Sequence, residues 1–211
     1  MRLLIVGAPG AGKGTQSKLI SEKLGIPHLS TGDILRSEIS SGSELGKKVK
    51  DFVDKGLLVP DDLIADVLLN EISKDKYKKG YILDGFPRNL NQVKIMEDKG
   101  ILIDKVIFID TSEEEILKRI SGRRVCLNCG QVYNIYYNPP KVENKCDKCG
   151  SELIQRDDDK EEVVKSRLRT FRDSTLPVID YYSKKGILFR INGDKNFDDI
   201  KNEIFNVLGV E

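Results

Sequence analysis

The chain has 211 residues, enough for about one or two domains and for burying about 70% of its unfolded surface. Its 35 Lys and Arg against 34 Asp and Glu leave a formal net charge of +1, which argues against a long polyanion held by bulk charge. With 39% hydrophobic residues and a mean hydropathy of −0.36 it reads as a soluble globular chain, and no run approaches the roughly 18 apolar residues of a membrane span.

Met1 to Val6 offers too short an apolar core for a signal peptide and runs straight into a Gly-rich loop. The mature chain is therefore expected to start here and to stay in a reducing cytoplasm. Leu3 to Val6 reads as a buried strand, followed by a helix from about Lys13 to Leu24 that stops at Gly25. A weaker strand signal falls near Pro27 to Leu29. Thr31 to Val59 breaks the rhythm with a pair of helices, one starting at Thr31-Gly32-Asp33, separated by Gly42-Ser43. Pro60-Asp61 opens a further helix. Tyr81 to Leu83, Val106 to Ile109 and Ile187 to Ile191 are short apolar runs, each followed by a helical pattern: Asn89 to Lys99, Glu113 to Arg123 and Phe197 to Leu208. Strands alternating with amphipathic helices imply a parallel sheet covered on both faces. Gly122 to Asp159 is the second break, with few helical signals and all four cysteines. The chain thus reads as one α/β core carrying two inserts.

Gly7-Ala8-Pro9-Gly10-Ala11-Gly12-Lys13-Gly14-Thr15 is the strongest chemical signal. Glycines let the backbone turn successive N–H groups onto one anion, and the following helix adds its free amides and positive end. Lys13 can reach the outer phosphates of a triphosphate. The generic motif places Ser or Thr directly after Lys; here Gly14 intervenes before Thr15. Tyr81-Ile82-Leu83-Asp84-Gly85-Phe86-Pro87-Arg88 is the second signal. An acid at the carboxyl end of a buried strand lies where open α/β sheets bind ligands, and beside a P-loop it can hold Mg²⁺ directly or through water. Gly85 and Pro87 shape a loop that presents Arg88 to the same crevice.

Cys126-Leu127-Asn128-Cys129 and Cys146-Asp147-Lys148-Cys149 form two C-x₂-C knuckles, a four-cysteine metal spacing. Zinc is expected, though tetrahedral S₄ donors also suit iron. Four thiolates close the coordination shell, so the metal is structural, stapling a segment too small to hold itself. His28 reads as a local packing or capping residue. Asp157-Asp158-Asp159-Lys160 reads first as a solvated charge run, with a secondary role for Asp158 and Asp159 in holding arginines. Tyr133 to Tyr137 reads as packing for the cysteine segment.

Taken together, Gly7 to Thr15, Leu29-Ser30-Thr31-Gly32-Asp33-Ile34-Leu35-Arg36 and Asp84 to Arg88 resemble the adenylate kinase family in its long form. The resemblance continues through Gly122-Arg123-Arg124-Val125 and Arg156 and covers essentially the whole chain. It implies the α/β fold of a P-loop nucleoside monophosphate kinase, with a central parallel sheet of about five strands, flanked by helices. It further implies a core of residues 1–29, 60–121 and 160–211, a nucleoside-monophosphate-binding subdomain at 30–59 and a metal-bearing lid at 122–159.

The activity implied is reversible phosphoryl transfer from MgATP to AMP, giving two ADP, by a monomer with no nucleic-acid or membrane partner. On the ATP side the resemblance implies Gly10, Ala11, Gly12, Lys13, Gly14 and Thr15, with Arg119, Arg123, Val132 and Tyr133 covering the nucleotide and Lys195 near the adenine. On the AMP side it implies Thr31, Arg36, Leu57, Leu58, Val59, Gly85, Phe86, Pro87, Arg88 and Gln92. Arg156 and Arg167 close over the transferring phosphates. Lys13, Asp84, Arg88, Arg123, Arg156 and Arg167 form the catalytic set; Arg124 is equally well structural. Asp33 assists the metal through water or caps its helix, the two readings weighing equally.

Two other classes were weighed. Asn144-Lys145-Cys146-Asp147 matches the N-K-x-D pattern of a GTPase switch, but it lies inside the cysteine segment and follows no apolar strand. A zinc-ribbon nucleic-acid module is opposed by the near-zero net charge. Nearer rivals are another nucleoside monophosphate kinase and an AMP kinase that uses GTP as donor.

Overall fold

The computed structural model describes residues 1–210. Five parallel strands, β1 (Arg2–Gly7), β2 (His28–Ser30), β3 (Tyr81–Asp84), β4 (Lys105–Asp110) and β8 (Leu188–Asn192), lie in the order β2-β3-β1-β4-β8. Pairing sets Ile5 opposite Asp84 and Gly7 opposite Ile109. The chain builds β2 and β3 on one side of β1, then crosses to β4 and β8 on the other. That switch leaves a crevice at the carboxyl end of β1, where such sheets take ligands.

Side-chain alternation divides the core. Leu4, Val6, Leu83, Val106 and Phe108 join one apolar cluster, while Leu3, Ile5, Ile82, Ile107 and Ile109 join the other. A strand buried on both faces reads as a continuous apolar run, as Leu3 to Val6 does. Full burial of each such side chain contributes about 1.5–3 kcal/mol. The helices α1 (Lys13–Leu24), α4 (Asp61–Ile72), α5 (Leu90–Asp98), α6 (Glu113–Gly122) and α9 (Phe197–Leu208) cover the sheet.

The first insert is α2 (Thr31–Ser41) and α3 (Glu44–Asp54). Gly42, with φ 68°, ends α2, and the Ser43 hydroxyl caps α3 by accepting from Gly46 N–H. The second insert is a small antiparallel sheet of β5 (Arg123–Cys126), β6 (Val132–Asn134) and β7 (Leu153–Ile154), in the order β6-β5-β7. Arg123 therefore opens a strand and does not finish α6, as the helical pattern through it implied. Periodicity also gave no element for 160–186. There the structure has α7 (Glu161–Thr170), a π-helical turn (Phe171–Thr175) and α8 (Leu176–Lys184). No helix among the described residues is long and apolar enough to cross a membrane.

Candidate active site

Between β1 and α1 the loop turns through Gly10 and Gly12, at φ +84° and +94°, where only glycine is at ease. A Cβ on Gly10 would stand 2.7 Å from Ile120 Cγ1, so the loop lies flat against α6. α1 opens without a side-chain cap, leaving the orphan amides of its first turn for an anion. Lys13 Nζ folds back over the loop and donates to the carbonyls of Gly7 and Ala8, 2.9 Å each. Burial draws its ammonium down to about 8, and Arg88, Arg167 and Arg123 add to that against the pull of Asp84.

Asp84 ends β3, and its carboxylate faces the start of α1, 3.8 Å from where a Cβ on Gly14 would stand. Burial works to raise this carboxyl, but the neighbouring His28 and Lys13 more than offset it and hold it below its ordinary value. His28 Nε2 lies 3.5 Å from Asp84 Oδ2, so the one histidine neighbours the crevice instead of packing elsewhere. A charged hard-oxygen donor beside an anion-binding loop fits Mg²⁺ carried by a nucleotide.

The arginines converge from five separate segments. Arg88 Nε donates to Gly85 O at 2.6 Å. Arg36 pairs with Asp33 at 2.5 Å and lies 3.7 Å from Asp158. Arg167 pairs with Asp158 at 3.0 Å, and Arg123 makes a two-pronged pair with Asp159, its Nε donating at 2.8 Å. Arg156 reaches Asp33 at 3.9 Å. Six cations (Lys13 and these five arginines) thus face four acids, Asp33, Asp84, Asp158 and Asp159. Burial and like-charged neighbours lower Arg156 and Arg167 to about 10, still charged at neutral pH. The excess positive potential in a buried crevice calls for an anionic ligand.

Two clefts meet at Gly85, Arg88 and Arg167. One encloses about 590 Å³, open mouth included, between the first insert and the core, and is lined by Thr31, Arg36, Leu57, Leu58, Val59 and Gln92. The other, about 520 Å³, runs to Lys13 and Pro87. Phe86 is 1% exposed, belongs to the core and lines neither cleft. Gly85, at φ +88°, cannot carry a side chain there, since a Cβ would stand 2.6 Å from Thr31 Oγ1.

At the outer end, Arg119 donates to Gly193 O at 2.7 Å and to Ala11 O at 3.4 Å, while Glu115 anchors its Nε at 2.7 Å. Lys195 follows β8 but turns away to Glu203, 2.7 Å distant. The Tyr133 ring is buried in the second insert, where its hydroxyl accepts from Asp147 N–H at 2.8 Å. Val132, beside it, is only partly buried. Tyr136 and Tyr137 are about half exposed; the Tyr136 ring lies against Gly122, while Tyr137 donates its hydroxyl to Glu115 on α6.

The four cysteines come together with every Sγ within 4.8 Å of the others. Cys126 and Cys149 stand 3.4 Å apart and Cys129 and Cys146 3.5 Å. A tetrahedral zinc with bonds of about 2.3 Å would set sulfurs about 3.8 Å apart, so the donors fit in both chemistry and spacing. Asn144, Cys146 and Asp147 lie within this unit, Cys146 as one of the four thiols, which removes the N-K-x-D reading.

Some expectations need correction. Ser30, not Asp33, caps α2: its hydroxyl accepts from Asp33 N–H at 3.2 Å, and Asp33 spends its carboxylate on Arg36. Asp158 and Asp159 are 7% and 4% exposed, no solvated run but the counter-ions of the arginines. Arg124 donates to the carbonyls of Ser121 and Arg123, a structural role. Sequence reading missed Asp61, whose carboxylate accepts from Asn89, Asn91 and Gln92. A Pro-Asp-Asp helix start was its only local signal.

A parallel sheet with a phosphate loop after β1, an acid ending the neighbouring strand and two inserts overhanging both is the architecture of a P-loop nucleoside monophosphate kinase. The adenylate kinase family model matches residues 5–187. The adenylate kinase of Acetivibrio thermocellus is 53% identical over 212 residues, covering 99% of this chain and 98% of that protein. The adenylate kinases of Caldicellulosiruptor bescii, 49% identical with both chains fully covered, and Archaeoglobus fulgidus, 50% identical over 99% and 98%, are similar. The chain belongs to the adenylate kinase family.

Proposed function

We infer that this chain transfers the terminal phosphoryl group of ATP reversibly to AMP, giving two ADP. The observation that carries the reading is the junction of the two clefts at Arg88 and Arg167, with the phosphate loop on one side and a cleft lined by Thr31, Arg36 and Gln92 on the other. ATP occupies the loop of Gly10 to Thr15, with Arg119 and the Val132–Tyr133 stretch beside its base. AMP lies along Thr31, Arg36, Leu57 to Val59 and Gly85 to Arg88, its base at Gln92.

The attacking AMP phosphate oxygen is already ionised at neutral pH, so no general base is required. The protein aligns donor and acceptor in line and neutralises charge on the moving group. Lys13 releases its two loop carbonyls to meet the outer phosphates of ATP. Arg88, Arg123, Arg156 and Arg167 supply planar donors that keep their charge. Mg²⁺ carried by the nucleotide would supply positive charge to its phosphates, and Asp84 is the residue that would hold it. Water competes as acceptor, so the insert at 30–59 and the lid at 122–159 close over the junction before transfer. Cys126, Cys129, Cys146 and Cys149 hold a structural zinc that keeps the lid rigid. Four unbridged thiols suit a reducing compartment.

A coupled assay of ATP with AMP against ATP with UMP, CMP and GMP tests the reading. Turnover is expected with AMP far above the rest; substantial turnover with another acceptor alone would overturn it.

A further inference from the structure

Gln92 is 2% exposed, and its side chain lines the first cleft. Both halves of its amide are already engaged. Nε2 donates to Asp61 Oδ1 at 2.7 Å, and Oε1 accepts from Arg88 N–H at 2.6 Å. A carboxylate only accepts and a backbone N–H only donates, so one of the two amide orientations satisfies both neighbours. Turning the amide over would set Oε1 against a carboxylate and the NH₂ group against an N–H.

The carboxylate is itself fixed. Asp61 Oδ1 also accepts from Asn89 Nδ2 at 2.9 Å, and Oδ2 accepts from Asn91 Nδ2 at 2.7 Å. Burial works to raise the Asp61 carboxyl, but these hydrogen bonds more than offset it and keep the group ionised. The Asn89 side chain caps α5 by accepting from Gln92 N–H at 2.8 Å, which ties the helix start to the same network.

An amide has two N–H bonds and two lone pairs. With one of each spent on Asp61 and Arg88, Gln92 keeps one N–H beside one lone pair. That remaining pair matches a base edge with an amino group next to an unprotonated ring nitrogen, as adenine has. A base with an oxo group in that place turns an acceptor toward the Gln92 lone pair.

We propose that Asp61 is a specificity-determining positioning residue, locking the Gln92 amide in the orientation that admits a 6-amino purine monophosphate and rejects its 6-oxo counterpart. The proposal rests on the reading of the first cleft as the acceptor site. Asp61 touches no substrate and acts through Gln92 alone.

AMP and IMP test it, because adenine and hypoxanthine share their shape and differ in the group at issue. The readout is the ratio of kcat/KM for AMP to that for IMP at fixed ATP. In Asp61→Asn the side chain can offer either a donor or an acceptor to Gln92, and the ratio is expected to fall about tenfold or more, the worth of a hydrogen bond to a charged group. Asp61→Ser, which suits a helix start, serves as the second variant with the same expectation. KM for ATP should stay at the wild-type value in both. Asp61 is also the first residue of α4; were its role only to support that helix, both acceptors would suffer alike and the ratio would hold. An unchanged ratio in a folded variant overturns the proposal. Gln92→Leu separates the two levels. If it collapses the ratio while the Asp61 variants do not, only the role of Asp61 fails. If it leaves the ratio unchanged, the base reading of the cleft fails with it.

Discussion

Arg123 and Asp159 stand at the two crossings where the chain leaves the core for the lid and returns. The Asp159 side chain is fully buried and that of Arg123 is 17% exposed, and Arg167 adds a contact 3.6 Å from Asp159 Oδ1. Burial works against the Arg123 charge, but the hydrogen-bonded Asp159 more than offsets it and raises the guanidinium above its usual value. Removing one member of a buried pair costs about 3–5 kcal/mol because the other charge is stranded. In Asp159→Asn the amide still offers one acceptor, and Asp158 remains beside the arginines, which lowers the expected cost to about 2–3 kcal/mol. For a chain of this length each kcal/mol moves Tm by about 2–4 °C, so the variant should melt about 4–12 °C below wild type. Calorimetry at neutral pH is the assay. Glu44→Gln is the control: Glu44 pairs with Lys47 on the open face of α3, where such a change is worth less than about 1 kcal/mol. If Asp159→Asn melts no lower than Glu44→Gln, the buried pair does not clamp the lid, and the reasoning is refuted.

Other outcomes follow from the same geometry. Reduced, purified protein should carry about one zinc per chain by elemental analysis. Stripping it with a mercurial should speed amide exchange across 123–154 while β1 and β4 stay protected, because the lid's apolar cluster shares no residue with the core clusters; unchanged lid exchange would contradict the staple. With Lys13 held at about 8 in the free protein, its charge is present below that pH and lost above it, so kcat/KM for ATP should fall as pH rises from 7 to 9.5. A flat profile counts against Lys13 as a phosphate contact. Gly10→Ala combines a left-handed backbone costing about 1–2 kcal/mol with a clash on Ile120 costing about 1–3 kcal/mol. Gly209→Ala, at φ +72° with nothing within 4 Å, carries the backbone cost alone; equal melting of the two variants would exclude the clash.

Local grammar made the core readable. The apolar run into Gly7-Ala8-Pro9-Gly10, the Asp84-Gly85 strand end and the two C-x₂-C knuckles each fit within a dozen residues, and the structure builds each as read. The α7–α8 region was not readable for a physical reason. In α7 only Val164 and Leu168 are buried, and the π-helical turn at Phe171–Thr175 shifts the phase before α8 begins, so no continuous 3.6 period survives. Asp158 and Asp159 look like a solvated run because composition cannot see Arg123, 36 residues earlier. Asp61 escaped for the same reason, its three amide partners lying 28 to 31 residues away.

The near-zero net charge then takes on a more specific meaning. Six cations buried in one crevice without counter-ions would repel one another and lose hydration, a cost of several kcal/mol per ion. Asp33, Asp158 and Asp159 reduce that cost in the substrate-free protein, and they do so from the edges: Asp33 in the first insert, Asp158 and Asp159 at the lid hinge. The middle, where Arg88 and Lys13 share the single carboxylate of Asp84, keeps the surplus. Arg88 is lowered by burial, against the opposing pull of Asp84, with the neighbouring Arg36 adding to the effect. An anion arriving at the centre therefore meets positive charge held in place from behind, and its binding need not unpair the acids at the rim. This arrangement favours a small ligand with dense charge over a long polyanion, which would have to run past Asp33 and Asp158 to reach the same groups.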